Sequence, residues 1–281
     1  MRALVTGAGG QLGIDVVRTC VEAGDEVVGL SRAELDISDQ QQVQSLIEEI
    51  QPDLVINAAA WTAVDDCEGD QARANLVNGT AVDYLGQAAK HVGAHLVQVS
   101  TDYVFDGTKA TPYEEADKTN PQSVYGASKL LGEANALAVD ATVVRTSWVF
   151  SAHGGNMVAT ILRLAKEHPT LSFVSDQTGH PSATADLAPA LRALGVARHS
   201  GIVHVTNAGA VSWFEFAQEV LRAAGEDPAR VSPIATKDLL PARPAARPTN
   251  SVLSTDYFTS LGLGTPRDFR EALAEVVSAY R

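Results

Sequence analysis

Short strands rich in valine and leucine, separated by amphipathic helices, constrain the fold of this chain more than any other feature. The segments RALV, EVVGL, DLVIN, HLVQVS and ATVVRT follow one another in the first half of the sequence, and helical patterns lie between them. Such strands are buried on both faces, because crossover helices cover a parallel sheet from both sides. The sequence therefore predicts an α/β fold with a doubly wound parallel sheet of the Rossmann type.

A glycine-rich segment, TGAGGQLG, lies directly between the first predicted strand and the first predicted helix. Gly7, Gly10 and Gly13 have the spacing that permits a tight turn, close approach of the backbone to a pyrophosphate, and close helix–sheet packing. A glycine loop alone is often only a tight turn. Its position between an N-terminal strand and a helix favours nucleotide binding.

The end of the second strand, GLSRAELDIS, bears on the choice of cofactor. No acid follows the strand immediately, and Arg32 lies close by, where an arginine can pair with a 2′-phosphate. We therefore expect NADPH with a slight preference over NADH; a solvated surface arginine is the alternative. Asp36 is expected to face the adenine ring or to cap the next helix, and Ser38 is the predicted N-cap of the helix DQQQVQSLIEEI.

Small side chains follow the third strand, in the run NAAAWTAVD. Ala58, Ala59 and Ala60 leave room for a cofactor at the strand ends, although close packing explains small residues equally well. Thr62 is a candidate contact to substrate or ribose. Asn78 is polar in an apolar helical stretch, so it is either a satisfied core amide or the organiser of a proton-relay water.

Polar residues come where the fourth strand ends, in QVSTDYVFDG. Ligands of parallel sheets bind at the carboxyl edge, so Ser100, Thr101, Asp102 and Tyr103 are expected to point toward a cleft. A hydroxyl group there can hydrogen-bond a substrate carbonyl. The alternative is an ordinary polar turn.

Tyr125 and Lys129 are four residues apart in the predicted helix of NPQSVYGASKLLGE, so their side chains share one face. A phenol beside an ammonium group ionises more easily than free tyrosine, and it can hand a proton to a carbonyl oxygen that receives a hydride. The spacing alone is weak evidence. The nucleotide loop and the Ser-Thr strand end make it strong.

Seven ordered segments, TGAGGQLG, NAAAWTAVD, STDYVFDG, YGASKLLGE, VVRTSWVF, DQTGHPS and RPTNSVLS, extend over nearly the whole chain. With them the chain resembles the extended short-chain dehydrogenase/reductase family, and within it the reductases of dTDP-linked 4-keto-sugars. The resemblance implies Tyr125 as the catalytic acid, Lys129 as the residue that holds the nicotinamide ribose and lowers the tyrosine pKa, and Thr101 as the third catalytic residue.

The same resemblance implies the ligand contacts. The cofactor contacts are Gly10, Gln11, Leu12, Asp36, Ile37, Ala58, Ala59, Ala60, Val99, Tyr125 and Lys129, and the sugar-nucleotide contacts are Thr101, Asp102, Trp148, Arg247 and Asn250. Independently of the resemblance, the Trp148 ring can stack on a sugar or base, and the planar fork of Arg247 can bind a diphosphate. The alternatives are a core tryptophan and a solvated arginine.

The implied reaction is the reduction of the 4-keto group of dTDP-6-deoxy-L-lyxo-4-hexulose to dTDP-L-rhamnose with NAD(P)H, the last step of dTDP-L-rhamnose biosynthesis. One alternative is a reductase of another nucleotide-linked keto-sugar. A second is a non-catalytic NADP-binding regulatory subunit on the same fold. An epimerase or dehydratase is disfavoured, because Asp102 and Tyr103 follow Thr101 where dehydratases have an Asp-Glu pair.

Some members of the family are dimers around magnesium held by carboxylates. Asp15 falls on one such position, but the position after DQTGHPS is Ala185, with Asp186 one residue further on. Magnesium prefers a near-octahedral shell of oxygens, and three such ligands cannot be assembled here. We therefore expect no metal, and a monomer or weak homodimer.

Charge and domain layout complete the expectations. A net charge of −13 argues against nucleic acid and acidic membrane surfaces as partners. Cys20 and Cys67 fit neither a metal site nor a disulfide framework, which favours a reducing compartment. The sequence has no bilayer-spanning segment, and it begins with a predicted strand. We therefore expect a cytoplasmic protein. Residues 1–150 form the predicted cofactor domain, to which about 184–212 return, and most of 151–281 forms the predicted sugar-nucleotide domain.

Overall fold

A computed structural model describes residues 1–280 of the 281-residue chain. The strands are β1 (Arg2–Thr6), β2 (Glu26–Leu30), β3 (Leu54–Asn57), β4 (His95–Thr101), β5 (Thr142–Thr146), β6 (Val149–Phe150), β7 (Leu171–Val174), β8 (Thr178–Gly179), β9 (Ser182–Ala183), β10 (Gly201–His204), β11 (Val211–Ser212) and β12 (Val231–Ile234). The helices are α1 (Gln11–Glu22), α2 (Gln40–Ile50), α3 (Val64–Gly69), α4 (Gln71–Asn75), α5 (Ala81–His91), α6 (Val124–Leu137), α7 (Met157–Glu167), α8 (Thr184–Val196), α9 (Trp213–Ala224), α10 (Asp256–Ser260) and α11 (Phe269–Ser278). A π-helical turn (Leu76–Thr80) joins α4 to α5, and 3₁₀ turns occupy Asp102–Val104, Pro228–Arg230 and Thr236–Asp238.

Six parallel strands form the central sheet in the order β10-β5-β4-β3-β1-β2. Helices α1 and α8 cover one face, and α2, α5 and α6 cover the other, each burying aliphatic side chains against the strands. The predicted doubly wound fold is therefore confirmed. The order of connection reverses between β1 and β3, and this is where a crevice opens at the carboxyl ends of the strands.

A separate apolar cluster lies in the C-terminal part of the chain. Helices α7, α9 and α11 pack their aromatic and aliphatic residues together, with Phe150, Phe216 and Phe269 among the most buried. Strand β10 extends the main sheet beside β5, although it comes from this half of the sequence. The arginine- and proline-rich run LLPARPAARPTN contains no regular helix or strand. The domain limits given above stay a prediction.

Two local expectations are wrong. The N-cap of α2 is Asp39, whose carboxylate accepts from Gln42 N at 3.0 Å, while the Ser38 hydroxyl donates to Asp36 Oδ1 at 2.6 Å. Asp36 therefore does not cap the helix. The helical pattern of the run ANLVNGTAVDYLGQAAKHV predicts one long helix, but the structure has a π-helical turn around Asn78 within it, and such turns are frequent at functional sites.

No helix within residues 1–280 combines the length and apolar character needed to cross a bilayer.

Candidate active site

The glycine loop after β1 is shaped by close backbone contacts. Gly7 has a φ of +69°, and a Cβ there would lie 2.7 Å from Ala59 N. A Cβ at Gly13 would lie 2.1 Å from the Gly7 carbonyl oxygen. Gly10 precedes α1 with no side-chain cap, so the first amide groups of the helix face the loop without an internal acceptor. This cradle fits a pyrophosphate, which needs close backbone approach and free amide donors.

A cleft of about 480 Å³ opens beside this loop. It brings together most of the predicted cofactor residues: Gly7, Gly10, Arg32, Asp36, Ile37, Ala58, Ala59 and Ala60, with Trp61 and Arg73 at the rim. The Arg73 guanidinium lies over the Trp61 ring at 4.3 Å from its centroid. The size and lining suit the adenosine half of a dinucleotide.

Two predicted cofactor residues lie below the loop and a third reaches away from it. Leu12 is buried in the core cluster, and Gly13 packs on the loop backbone. The Gln11 side chain donates to Gly155 O at 3.0 Å and accepts from the Ser151 hydroxyl at 3.2 Å. Gln11 therefore links α1 to the segment after β6.

Charges at the cofactor cleft favour an anion near Arg32. Arg32 is exposed, while the Asp36 carboxylate is held by the Ser38 amide and hydroxyl, whose hydrogen bonds lower the pKa of Asp36. The Ser31 amide and hydroxyl both donate to Glu34 Oε2, at 2.8 and 2.7 Å. Both acids are thus engaged by neighbouring donors. Of the two arginines that line the cleft, Arg73 lies over the Trp61 ring, while Arg32 is exposed and interacts with Asp36 through its charge.

Tyr125, Lys129 and Thr101 meet where β4 ends. Tyr125 is in the first turn of α6, which Ser123 caps, and the Thr101 side chain lies close enough to act on the pKa of its phenol. The Lys129 ammonium donates to Val99 O at 2.7 Å. Tyr125 is 8% exposed and Lys129 is 4% exposed. The structure thus places the three predicted catalytic residues together at the carboxyl edge of the sheet.

Burial decides the acidity of both α6 residues. Desolvation raises the pKa of the Tyr125 phenol above its ordinary value, although the nearby Thr101 side chain acts in the opposite direction. Desolvation also lowers the pKa of Lys129 to about 8, against the opposing effect of Glu133. The expectation of a lowered tyrosine pKa is therefore wrong for this structure, because removing both groups from water outweighs their proximity. The phenol consequently carries its proton at neutral pH.

A buried ion pair anchors α6 to the sheet behind the catalytic residues. Glu133 accepts from Arg145 Nε and Nη2 at 2.8 and 2.7 Å and from the Ser100 hydroxyl at 2.6 Å. Both charged side chains are 2% exposed. Ser100, predicted to face the cleft, instead uses its hydroxyl in this anchor.

Asn78 is a satisfied amide. Its Oδ1 accepts from Trp61 N at 2.8 Å, and its Nδ2 donates to Trp61 O and to the Ser128 hydroxyl, both at 3.0 Å. Ser128 in turn donates to Tyr125 O at 2.7 Å. Of the two alternatives, the first holds: the π-helical turn aims this amide so that it ties the cofactor loop to α6.

Asp102 and Tyr103 extend the site from Thr101. Asp102 accepts from the Thr101 hydroxyl at 2.9 Å, and burial raises its pKa to about 6 against the opposing effect of the nearby Ser251 side chain. Tyr103 packs edge-to-face on Tyr125 with ring centroids 5.5 Å apart, and burial raises its pKa to about 12. Both residues therefore border the catalytic hydroxyls.

Arg247 reaches the site already paired. Its Nη1 and Nη2 each lie 2.6 Å from an oxygen of Asp65, and Nη1 also donates to Ala245 O at 2.7 Å. Its guanidinium also lies close enough to the Tyr103 side chain for the two groups to interact electrostatically. The arginine thus holds the segment around 245–247 against α3, and its fork is not free for a diphosphate.

Two further predicted substrate residues lie elsewhere. Asn250 donates to Lys109 O at 2.7 Å and to Thr111 O at 3.3 Å, and accepts from Val252 N at 3.1 Å, so its amide braces a loop. Thr62 is exposed and does not line the cofactor cleft. The prediction of a substrate contact therefore rests on the resemblance for Asn250 and on the position after β3 for Thr62, and for both residues it stays a prediction.

Asp15 and Asp186, the acids weighed for magnesium, are bound by protein donors. Asp15 pairs with Arg18 at 2.8 Å and accepts from the Thr184 hydroxyl. Asp186 accepts from Asn207 at 2.6 Å and from Arg267 at 2.9 Å. Across residues 1–280, no three His, Cys, Asp or Glu side chains converge as a metal site would require. The donor set does not fit magnesium.

Trp148 borders the same region through Gly179 and Ser251. A Cβ built on Gly179 would lie 2.7 Å from Trp148 Cε2 and 2.8 Å from Ser251 Oγ. Asp65, Ser251 and Trp213, which contacts Trp148, are the site neighbours that sequence reasoning missed. Asp65 and Ser251 lie within the segments NAAAWTAVD and RPTNSVLS, but their partners are distant in sequence, so the sequence did not show which contacts they make.

Comparison with known proteins gives one consistent family. The family of the RmlD substrate binding domain matches residues 1–281. The chain is 45% identical to a dTDP-4-dehydrorhamnose reductase of Streptomyces griseus, over 98% of this chain and 92% of that protein. It is 42% identical to a probable dTDP-4,6-dihydroxy-2-methyloxan-3-one 4-ketoreductase of Streptomyces antibioticus, over 98% and 94%.

A solved structure agrees with these relatives. The crystal structure of dTDP-4-dehydrorhamnose reductase from Bacillus anthracis in complex with NADP superimposes with a TM-score of 0.93 at 34% identity, covering 98% of each chain. The resemblance predicted from the seven segments is confirmed. This chain belongs to the RmlD substrate binding domain family, the family of the dTDP-4-dehydrorhamnose reductases.

Proposed function

We propose that this protein reduces the 4-keto group of dTDP-6-deoxy-L-lyxo-4-hexulose to give dTDP-L-rhamnose, with NADPH as the reductant. The observation that carries the proposal is that three buried side chains, Tyr125 and Lys129 on α6 and Thr101 at the end of β4, meet at the carboxyl edge of the sheet. A hydroxyl pair at the carboxyl edge of a parallel sheet, beside a nucleotide-sized cleft, suits a ketone oxygen that must accept a proton.

The residues divide the work as follows. Bound NADPH supplies the hydride. Tyr125 donates its phenolic proton to the ketone oxygen, and its raised pKa keeps that proton in place at neutral pH until the reaction. The Thr101 hydroxyl orients the same oxygen, and the Lys129 ammonium stabilises the phenolate that remains. An ammonium has three donors and Val99 O uses one, so two are left for ribose hydroxyls.

NADPH is favoured over NADH by the rim of the cofactor cleft. Arg32 is exposed there, whereas the nearby acids Glu34 and Asp36 are engaged by the Ser31 and Ser38 donors. A 2′-phosphate therefore meets an exposed guanidinium, which binds phosphate through paired donors. The NADP held by the Bacillus anthracis reductase supports the same choice.

A second candidate is the reduction of another dTDP-linked keto-sugar. The relative from Streptomyces antibioticus, named as a probable 4-ketoreductase of a different dTDP-linked substrate, supports it. The catalytic residues would act in the same way, because only the contacts with the hexose differ between the two substrates.

Product identification separates the two. The protein is incubated with NADPH or NADH and with each dTDP-linked keto-sugar, nucleotide oxidation is followed, and the product sugar is identified. We expect dTDP-L-rhamnose from the lyxo-hexulose, at higher kcat/KM than any other product. Oxidation with another keto-sugar alone would favour the second candidate. No oxidation at all, with tight NADP binding, would refute a reductase and favour a regulatory subunit.

A further inference from the structure

A second tryptophan covers one face of Trp148. The indole rings of Trp148 and Trp213 stack with centroids 3.7 Å apart and an interplanar angle of 9°. Trp213 is the first residue of α9 and belongs to the C-terminal apolar cluster. The start of α9 is rigid, because Ser212 and Glu215 form a reciprocal capping box. The capping box therefore fixes the backbone of Trp213, on which the stack with Trp148 depends.

The backbone and surroundings of Trp148 also restrict its ring. Trp148 has a φ of +46°, a left-handed conformation that a bulky residue adopts only when its surroundings impose it. The edge of the ring lies against Gly179, where even a Cβ would come within 2.7 Å of Cε2. Both tryptophans are only half-buried, so part of the Trp148 ring remains open.

A short series of contacts joins this pair to the catalytic hydroxyls. The space beside Gly179 that borders Trp148 also borders Ser251. The Ser251 side chain lies close enough to Asp102 to act on its pKa, and Asp102 accepts from Thr101. Thr101 also pairs with Thr146 across β4 and β5, and Thr146 comes two residues before Trp148. Trp148 thus lies at the same end of β5 as Thr101, where the hexose of a nucleotide sugar would lie with its ketone at Tyr125.

We propose that Trp213 is a positioning residue that sets the specificity for the hexose: by stacking on one face of Trp148, it fixes the ring that contacts the sugar. This inference rests on the proposed function, in which Trp148 meets the sugar of a dTDP-linked substrate. Without Trp213, the Trp148 side chain would lose conformational entropy when the sugar binds, whereas a Trp148 ring that Trp213 already holds in place does not. The sugar part of the affinity therefore depends on Trp213, and the nucleotide part does not.

Three variants test the proposal: Trp213→Ala, Trp213→Phe and the control Phe214→Ala. Phe214 is next to Trp213, is half-buried, and packs on the same C-terminal cluster, but makes no ring contact with Trp148. Stacked indoles give an exciton couplet in circular dichroism, and calorimetry gives Kd for dTDP-L-rhamnose and for dTDP. KM for the keto-sugar and the melting temperature complete the readouts.

We expect Trp213→Ala to abolish the couplet and to raise Kd for dTDP-L-rhamnose and KM for the keto-sugar about tenfold, or about 1.4 kcal/mol. Kd for dTDP should stay within about twofold. Trp213→Phe should lose the couplet, which needs two indoles, but keep sugar affinity within about threefold of wild type. Phe214→Ala should keep both the couplet and the sugar affinity of the wild type. The phenylalanine variant also provides the test if Trp213→Ala does not fold.

The proposal is overturned if wild-type protein shows no couplet, if Trp213→Ala and Phe214→Ala weaken sugar binding equally, or if Kd for dTDP rises as much as Kd for dTDP-L-rhamnose. Failure of the proposed function looks different. If the wild-type protein shows the couplet but reduces no keto-sugar, the reductase assignment is refuted. If Trp213→Ala nevertheless loses affinity for dTDP-L-rhamnose and keeps its affinity for dTDP, the positioning role is supported.

Discussion

Replacing Glu133 by glutamine should remove the anchor that holds the catalytic helix α6 on the sheet. Glu133 accepts three hydrogen bonds, two of them from Arg145, and both side chains are 2% exposed. Glutamine keeps the shape but leaves a buried guanidinium without this counter-charge, a change that costs about 3–5 kcal/mol. Because the Glu115 carboxylate also acts on Arg145, we expect the lower end, about 3 kcal/mol.

The chain contains a matched control. Arg163 and Glu167 form a pair of similar length, 2.6 Å, with side chains 59% and 48% exposed. Glu167→Gln should cost no more than about 0.5 kcal/mol, since an exposed pair gains little over its solvated parts. The double variant Glu133→Leu with Arg145→Met should recover much of the loss, because no charge is then left buried.

Urea unfolding of the four proteins measures these free energies, and thermal melting checks them. About 3 kcal/mol corresponds to a fall of roughly 5 °C in the melting temperature for a chain of this size. The reasoning would be refuted if Glu133→Gln lost less than about 1 kcal/mol, or no more than Glu167→Gln. It would also fail if the double variant were less stable than Glu133→Gln.

Three further predictions concern the site. If the Lys129 ammonium is required, kcat/KM should be at its maximum below the Lys129 pKa of about 8 and should fall as the pH rises through that value. In a pH–rate profile, Lys129→Arg should flatten this fall, because arginine stays charged. Gly179→Ala places a Cβ 2.7 Å from the Trp148 ring. It should raise KM for the keto-sugar at least about tenfold and leave KM for NADPH unchanged. An unchanged KM for the keto-sugar would show that Trp148 does not contact the substrate. Arg32→Ala should raise KM for NADPH about tenfold and leave KM for NADH unaltered, and equal effects on both cofactors would contradict a 2′-phosphate contact.

Features with a local cause could be predicted from the sequence. The strands of the sheet follow from short apolar runs, and the glycine loop and the Tyr125–Lys129 helix follow from residue spacing. The fold is therefore confirmed, and the three predicted catalytic residues lie together at the carboxyl edge of the sheet. The first residue of a helix is harder to predict, as α2 shows. Ser38 and Asp39 are equally good N-caps by residue type, and Asp39 caps the helix because the Ser38 hydroxyl donates to Asp36 instead.

Features with a tertiary cause could not be predicted in this way. The raised pKa of Tyr125 comes from burial, which helix spacing does not report. Arg247 reads as a free diphosphate ligand until the fold brings Asp65, 182 residues away, against its fork. The Trp148–Trp213 stack likewise joins a strand end to a distant helix.

The central claim is that Tyr125 donates the proton to the ketone, and single-turnover reduction by Tyr125→Phe tests it most directly. Phenylalanine keeps the ring that packs on Tyr103 and removes only the hydroxyl. The account predicts a rate lower by about 10²–10⁴-fold, with Kd for NADPH within about twofold of wild type. Reduction at the wild-type rate by this variant would contradict it.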